Sequence, residues 1–143
     1  MNIEEIEEFK KRIFARIPKG WGYWISCDSG WFDLIDDLDK KISHLAPNYE
    51  IHQVKEKYGT LRFYVGGPAN SKEAADIIDD LISYAEYLSK RICEVCGAGT
   101  SRIRSRYDDS VKTRGTGWYK TLCNDCAIKL EYPTDEEMGV CND

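Results

Sequence analysis

Two identically spaced cysteine pairs constrain this 143-residue chain more than any other feature. They are Cys93-Glu94-Val95-Cys96 and Cys123-Asn124-Asp125-Cys126, with 26 residues between them. A Cys-x2-Cys turn aims two sulfurs at one point, and two such turns supply the four sulfurs of a tetrahedral zinc site. The chain between the pairs must therefore double back. Its length exceeds the roughly 15–20 residues of the common pattern. It contains two strand-like runs, Arg102 to Tyr107 and Trp118 to Leu122. A hairpin between the knuckles absorbs the extra length, as in a zinc ribbon. Gly97 permits the tight backbone after the first pair.

One structural zinc held by Cys93, Cys96, Cys123 and Cys126 is the expected cofactor. Four thiolates fill the metal's positions, so the site is not expected to act as a Lewis acid. A four-cysteine iron site is chemically open as well. Disulfides would need an oxidising compartment, and the start of the chain has no basic and apolar export signal. A thioredoxin-like pair would sit singly after a strand, at a helix start. Cys27 and Cys141 are expected outside the ligand set. The expected location is the cytosol, without membrane association, since no apolar run approaches about 18 residues.

The remaining patterning predicts an α+β fold. Ile3, Ile6, Phe9, Ile13 and Ile17 recur at helical spacing before Pro18 and Gly20. A second helix runs from about Trp31 to Leu45, capped by Asp28 or Ser29 and stopped by Pro47. Glu50 to Lys57 and Leu61 to Val65 read as a hairpin turning at Tyr58-Gly59. In that register Lys57 faces Thr60, Val54 faces Phe63 and His52 faces Val65. His52, Val54, Leu61, Phe63 and Val65 then form the core face, with Gln53, Lys55, Lys57, Arg62 and Tyr64 opposite. Lys55 sits across from Arg62, and the like charges repel unless something anionic lies near. Asn70-Ser71-Lys72-Glu73 resembles a capping box for a third helix to about Lys90. Ile77, Leu81, Tyr84, Ala85, Leu88 and Ile92 are its expected buried face. The expected organisation is a helical and hairpin body (1–90), a zinc-ribbon module (91–130) and an acidic tail (131–143).

Charge follows these divisions. The formal net charge is −5. Residues 1–89 hold 11 Lys and Arg against 16 Asp and Glu, residues 90–130 hold 9 against 4, and residues 131–143 hold none against 5. Zinc on four thiolates lowers the module's formal +5 to about +3. Arg102, Arg104 and Arg106 alternate on one strand face, followed by Lys112, Arg114, Trp118 and Lys120. That pattern suits a phosphate-tracking or acidic-partner surface. The competing reading has the acidic tail fold back and neutralise the module. Lys55, Lys57, Arg62 and Tyr64 form a second candidate partner surface. The cluster Trp21, Tyr23, Trp24 and Trp31 reads as core packing, with a ligand pocket as the alternative.

Nothing in the pattern of catalytic residues predicts an enzyme. His44 and His52 lack a nucleophile or orienting acid at recognisable spacing. Walker, dinucleotide and deaminase signatures are missing. A small enzyme could still arise if Asp28, Asp33 and Glu56 converged on a cleft beside the tryptophans.

Two stretches carry a family resemblance. One is Gln53-Val54-Lys55-Glu56-Lys57-Tyr58-Gly59-Thr60-Leu61-Arg62-Phe63-Tyr64. The other is Ile92-Cys93-Glu94-Val95-Cys96-Gly97 followed by Trp118-Tyr119-Lys120-Thr121-Leu122-Cys123. With Gly20-Trp21 upstream, the chain resembles a family of small bacterial and phage proteins that end in a cysteine knuckle pair and have no assigned function. The resemblance implies metal ligation by the four cysteines and no catalytic residue. The expected role is a zinc-binding, non-enzymatic interaction protein with a protein partner. A phage or mobile-element setting would make it an inhibitor or adaptor of a host or defence protein. The alternatives are a nucleic-acid-binding ribbon and the small enzyme; no small-molecule substrate is inferred.

Overall fold

The computed structural model describes residues 1–106 and 119–140. Helix α1 spans Ile3–Ala15 and α2 spans Phe32–Leu45, after a 3-10 turn at Ser29–Trp31. Strands β1 (Glu50–Lys57) and β2 (Thr60–Gly66) form a hairpin, and α3 spans Lys72–Ser89. Strands β3 (Arg102–Ser105) and β4 (Tyr119–Leu122) form the ribbon, followed by α4 (Asn124–Lys129). The fold is α+β with two small antiparallel sheets. No helix of the described residues is long and apolar enough to cross a membrane.

Helix α1 begins with a reciprocal cap: Asn2 accepts from the Glu5 amide, and Glu5 reaches back to the Asn2 amide. Phe9 and Ile13 are buried against α2 and the hairpin, in one core with Trp31, Ile35, Leu38, Ile42, Ile51, Val54, Leu61 and Phe63. Two ion pairs tie α1 to α2, Arg12 to Asp36 at 2.6 Å and Arg16 to Asp39 at 2.6 Å. Asp28 makes no side-chain cap at the 3-10 turn. Its backbone is held instead by Glu94, whose carboxylate accepts from the Asp28 amide at 3.0 Å.

The hairpin turns at Tyr58 and Gly59, with φ of 54° and 82°. Positive φ at both positions matches the right-handed strand twist. Lys57 pairs with Thr60, Lys55 with Arg62 and Val54 with Phe63. The expected register fails at one position. A bulge between Ile51 and Gln53 lets Ile51, not His52, pair with Val65. Ile51 is fully buried in consequence. His52 leaves the core face and lies on Gly66, where a Cβ would stand 2.2 Å from the imidazole. The bulge exchanges a polar ring for an apolar side chain in the core.

Both outer edges of the hairpin are sealed. Ser26 lies beside Lys55, donating its amide to the Val54 carbonyl at 2.9 Å and accepting from the Glu56 amide at 2.9 Å. On the other edge the Ser89 hydroxyl accepts from the Leu61 amide at 2.9 Å, and the Glu86 carboxylate accepts from the Phe63 amide at 3.1 Å. These polar contacts set the rotation of α3, which differs from the expected one. Ile78, Ala85 and Ser89 are its buried residues, while Ile77 and Tyr84 are exposed. Leu81, Ile82 and Ile92 pack against the core from the side. The cap is Ser71, which accepts from the Ala74 amide; Asn70 instead donates to the Leu45 carbonyl.

The aromatic cluster divides. Trp31 is fully buried and its indole donates to the Ile92 carbonyl at 2.8 Å. Trp21, Tyr23 and Trp24 lie on the surface. Trp21 rests on the His52 ring with centroids 4.6 Å apart, and Tyr23 lies near Phe14.

A second core joins Cys93, Leu122, Cys123, Cys126, Ala127 and Tyr132. The loop from Asp28 to Trp31 clamps it to the body. Gly30 donates to the Glu94 carbonyl at 2.7 Å. A Cβ on Gly30 would stand 2.2 Å from the Cys93 carbonyl oxygen and 2.4 Å from that of Glu94. Gly30→Ala is therefore expected to pry the clamp apart, costing about 1–3 kcal/mol as overpacking does. Gly99→Ala, which meets no atom within 4 Å, is the control. Denaturant melts of the two variants check it, and equal midpoints would refute the clamp.

Candidate metal centre

The first knuckle follows from a short turn. The Gly97 amide donates to the Cys93 carbonyl at 2.9 Å, and Gly97 takes a φ of 82° to complete the turn. The second knuckle opens α4. Cys123 is its cap, accepting from the Cys126 amide at 3.4 Å, as Cys93 accepts from the Cys96 amide at 3.5 Å. Strands β3 and β4 connect the two, with Arg102 beside Leu122 and Ser105 beside Tyr119.

The four sulfurs lie within 4.8 Å of one another. A tetrahedron with metal–sulfur bonds of about 2.3 Å has sulfurs roughly 3.8 Å apart. The Cys96–Cys123 separation is 3.6 Å, so the set fits one metal ion. Cys93, Cys123 and Cys126 are buried and Cys96 is exposed.

The acidities of the thiols are arranged for ligation. Burial alone would raise Cys93, but the amides of Cys96, Cys123 and Val95 favour its thiolate and bring it to about 7. Burial and the neighbouring sulfurs push Cys126 up, and burial raises Cys96. The Cys93 thiolate forms readily, and a cation among the sulfurs would favour ionisation of Cys96 and Cys126. Cys27 stands apart. Burial, then the Glu94 and Asp28 carboxylates, push its thiol far above the ordinary value. It is a neutral, half-buried residue, as expected. Cys141 lies outside the described residues.

Among the described residues, the ribbon cations Arg102, Arg104, Arg106 and Lys120 are engaged within the chain. Arg104 is 1% exposed. Its guanidinium donates to the Leu122 carbonyl at 3.1 Å, the Pro133 carbonyl at 2.8 Å and Asp135 at 2.6 Å. Arg102 pairs with the same Asp135 oxygen at 3.2 Å. Arg106 donates to the Leu130 carbonyl at 3.0 Å and covers the Tyr132 ring at 4.9 Å. Lys120 binds Asp28 at 3.1 Å and Glu94 at 3.3 Å. Burial would lower the Lys120 ammonium, but Glu94 and Asp28 raise it and keep it charged. The alternation of the three arginines thus marks an intramolecular seam, and the acidic segment after α4 folds back onto it. Lys112, Arg114 and Trp118 lie outside the described residues.

No family model, curated protein or solved structure matches the chain.

Glu94 is the functional residue that sequence reasoning missed. It sits between Cys93 and Cys96 and is 2% exposed. It joins the knuckle to the Asp28 amide, to Gly30 and to Lys120, and its own amide donates to the Thr121 carbonyl at 2.9 Å. An acid in the variable part of a knuckle carries no signal by itself. The carboxylates considered for an enzyme also have structural duties. Asp28 holds Lys120, Glu56 accepts from the Gly59 amide at 3.2 Å, and Asp33 lies 4.0 Å from the amino terminus.

Proposed function

We propose that this chain is a zinc-stabilised, non-enzymatic interaction protein, in which the metal locks ribbon, folded-back tail and helical body into one binding scaffold. The observation that carries this reading is the closed set of four sulfurs within 4.8 Å of one another. Four sulfurs around one ion leave no position for a substrate. The other reactive groups support the same reading. Cys27 is held as a thiol, and His52 is occupied by Trp21 and, at 3.1 Å, by Glu50.

Zinc is the metal we infer, because four tetrahedral thiolates from two Cys-x2-Cys turns are its common structural ligand set. Elemental analysis of natively purified protein tests this, with one zinc per chain expected. One iron per chain would reassign the metal, and no metal would overturn the reading.

The surface that supports partner binding is the outward face of the β1–β2 hairpin, since among the described residues Arg102, Arg104, Arg106 and Lys120 have partners inside the chain. In a phage or mobile-element setting such a scaffold would serve as an inhibitor or adaptor against a host or defence component.

A further inference from the structure

The hairpin's outward face is basic on an acidic body. Alternation places Gln53, Lys55, Lys57, Arg62 and Tyr64 opposite Val54, Leu61 and Phe63. The segment ending at Ser26 widens this face. Ser26 lies beside Lys55, Ile25 packs against the core and Tyr23 lies near Phe14. The intervening Trp24 is 63% exposed, with one face of its ring folded back onto Gly22 and the other open. Tyr64 is 45% exposed, with the Lys55 ammonium 5.9 Å from its ring centroid. Farther along, the Lys57 ammonium stands 5.6 Å from the ring of Tyr58.

Among the described residues, the ion pairs engage other cations and leave Lys55, Lys57 and Arg62 without a carboxylate. Lys55 and Arg62 are direct cross-strand partners. Like charges so placed repel, and an anion laid across them removes that cost. Lys55 and Lys57 follow one another on β1 and lie across from Arg62 and Thr60, so cations fill the middle of the face and Tyr64 stands at one end, opposite Gln53. Tyr, Trp and Arg are frequent at protein interfaces too, but the core of such a patch is depleted of charge and of Lys. Clustered cations flanked by exposed rings suit phosphates with bases stacked beside them. Successive outward residues advance by about 6.7 Å along a strand, a step that an extended polynucleotide backbone can follow.

We propose that this face binds a single-stranded nucleic acid, its phosphates on Lys55, Lys57 and Arg62 and its bases stacked on Trp24 and Tyr64. The proposal rests on the non-enzymatic binding reading and names the partner class for it.

Fluorescence anisotropy of the metal-loaded full chain with labelled oligo-dT and oligo-rU tests it. Three phosphate contacts predict a slope of about −2 for log affinity against log salt. Trp24→Ala and Tyr64→Ala are each expected to weaken binding about five- to hundred-fold, the range for losing one stacked base. Tyr64→Phe should retain it, and Lys57→Glu should flatten the salt slope by about 0.7 or more. Lys72→Glu, at the exposed start of α3, should change little. Circular dichroism and metal content of each variant confirm that the fold is kept. Absence of binding at low salt by fully metal-loaded protein overturns the proposal and leaves the zinc reading standing. Binding that ignores both aromatic substitutions overturns it too. Capture of a polyglutamate peptide by this face, with no oligonucleotide bound, would assign it to an acidic protein instead.

Discussion

Cys93→Ser and Cys123→Ser are each expected to unfold the ribbon and loosen the body with it. Both sulfurs are buried and share one cluster. Losing either leaves three sulfurs, and the hydroxyl in its place would be a poor ligand for the proposed zinc. Structural zinc contributes about 10–16 kcal/mol to the folding of small finger peptides, whereas a whole domain is stable by about 5–15 kcal/mol. Even a partial loss is therefore a large fraction of the total. The effect should reach the body because Trp31 donates to the Ile92 carbonyl and Gly30 to the Glu94 carbonyl, both within the knuckle region. A melting temperature lowered by more than about 10 °C is expected, from a loss of at least about 4 kcal/mol in a chain of this size. The near-ultraviolet signal of Trp31 should fall with it. A chelator should reproduce both effects on the unsubstituted protein, and Cys27→Ser should reproduce neither. Cys123→Ser protein that keeps its metal and melts with the parent would refute the assignment.

Arg104→Ala should be the most damaging change of a charged residue, costing about 3–5 kcal/mol as breaking a buried ion pair does. The guanidinium is out of contact with water and holds Asp135 and the carbonyls of Leu122 and Pro133. Its removal leaves the Asp135 carboxylate, itself 8% exposed, short of its main partner. The acceptors that Arg104 satisfied would also lose their donor, which is the costlier half of the exchange. Arg106→Ala should cost about 1 kcal/mol, since Arg106 lies on the surface and mainly covers Tyr132. Denaturant melts measure both. A surface of free arginines predicts the reverse pattern, with Arg104→Ala neutral for stability. That result would dismantle the folded-back arrangement of the acidic segment.

The hairpin shows how far local rules reach. Tyr58-Gly59 between alternating strands specifies a two-residue turn, and the pairing from Lys57 to Gln53 follows from it. The rule fails at His52 because a bulge depends on what the core will accept. Ile51 fits there and an imidazole does not, and Gly66 leaves room for the displaced ring. Helix α3 makes a similar point. Its apolar residues allow more than one buried face, and the choice falls to Ser89 and Glu86, which satisfy amides on the open edge of β2. Periodicity counts apolar side chains and is blind to that demand. The loop tryptophans depart from the expected core packing for a related reason. Large apolar size argues for burial, but Trp21 and Trp24 come from a short glycine-punctuated segment that runs along a sheet edge instead of crossing the core.

The sequence by itself determined the ligand set, the turn between β1 and β2, and the α+β succession of elements. Each depends on contacts between residues close along the chain or on one rigid spacing. The fate of the charges was decided only in the tertiary structure. Alternation put Arg102, Arg104 and Arg106 in register, yet Asp135 and the carbonyls around it lie about 30 residues farther along the chain and turn that row inward. Lys55, Lys57 and Arg62 have the same charge and the same alternation but meet no such carboxylate among the described residues. Whether a row of cations becomes a seam or a surface depends on what the fold brings against it, and no local pattern encodes that.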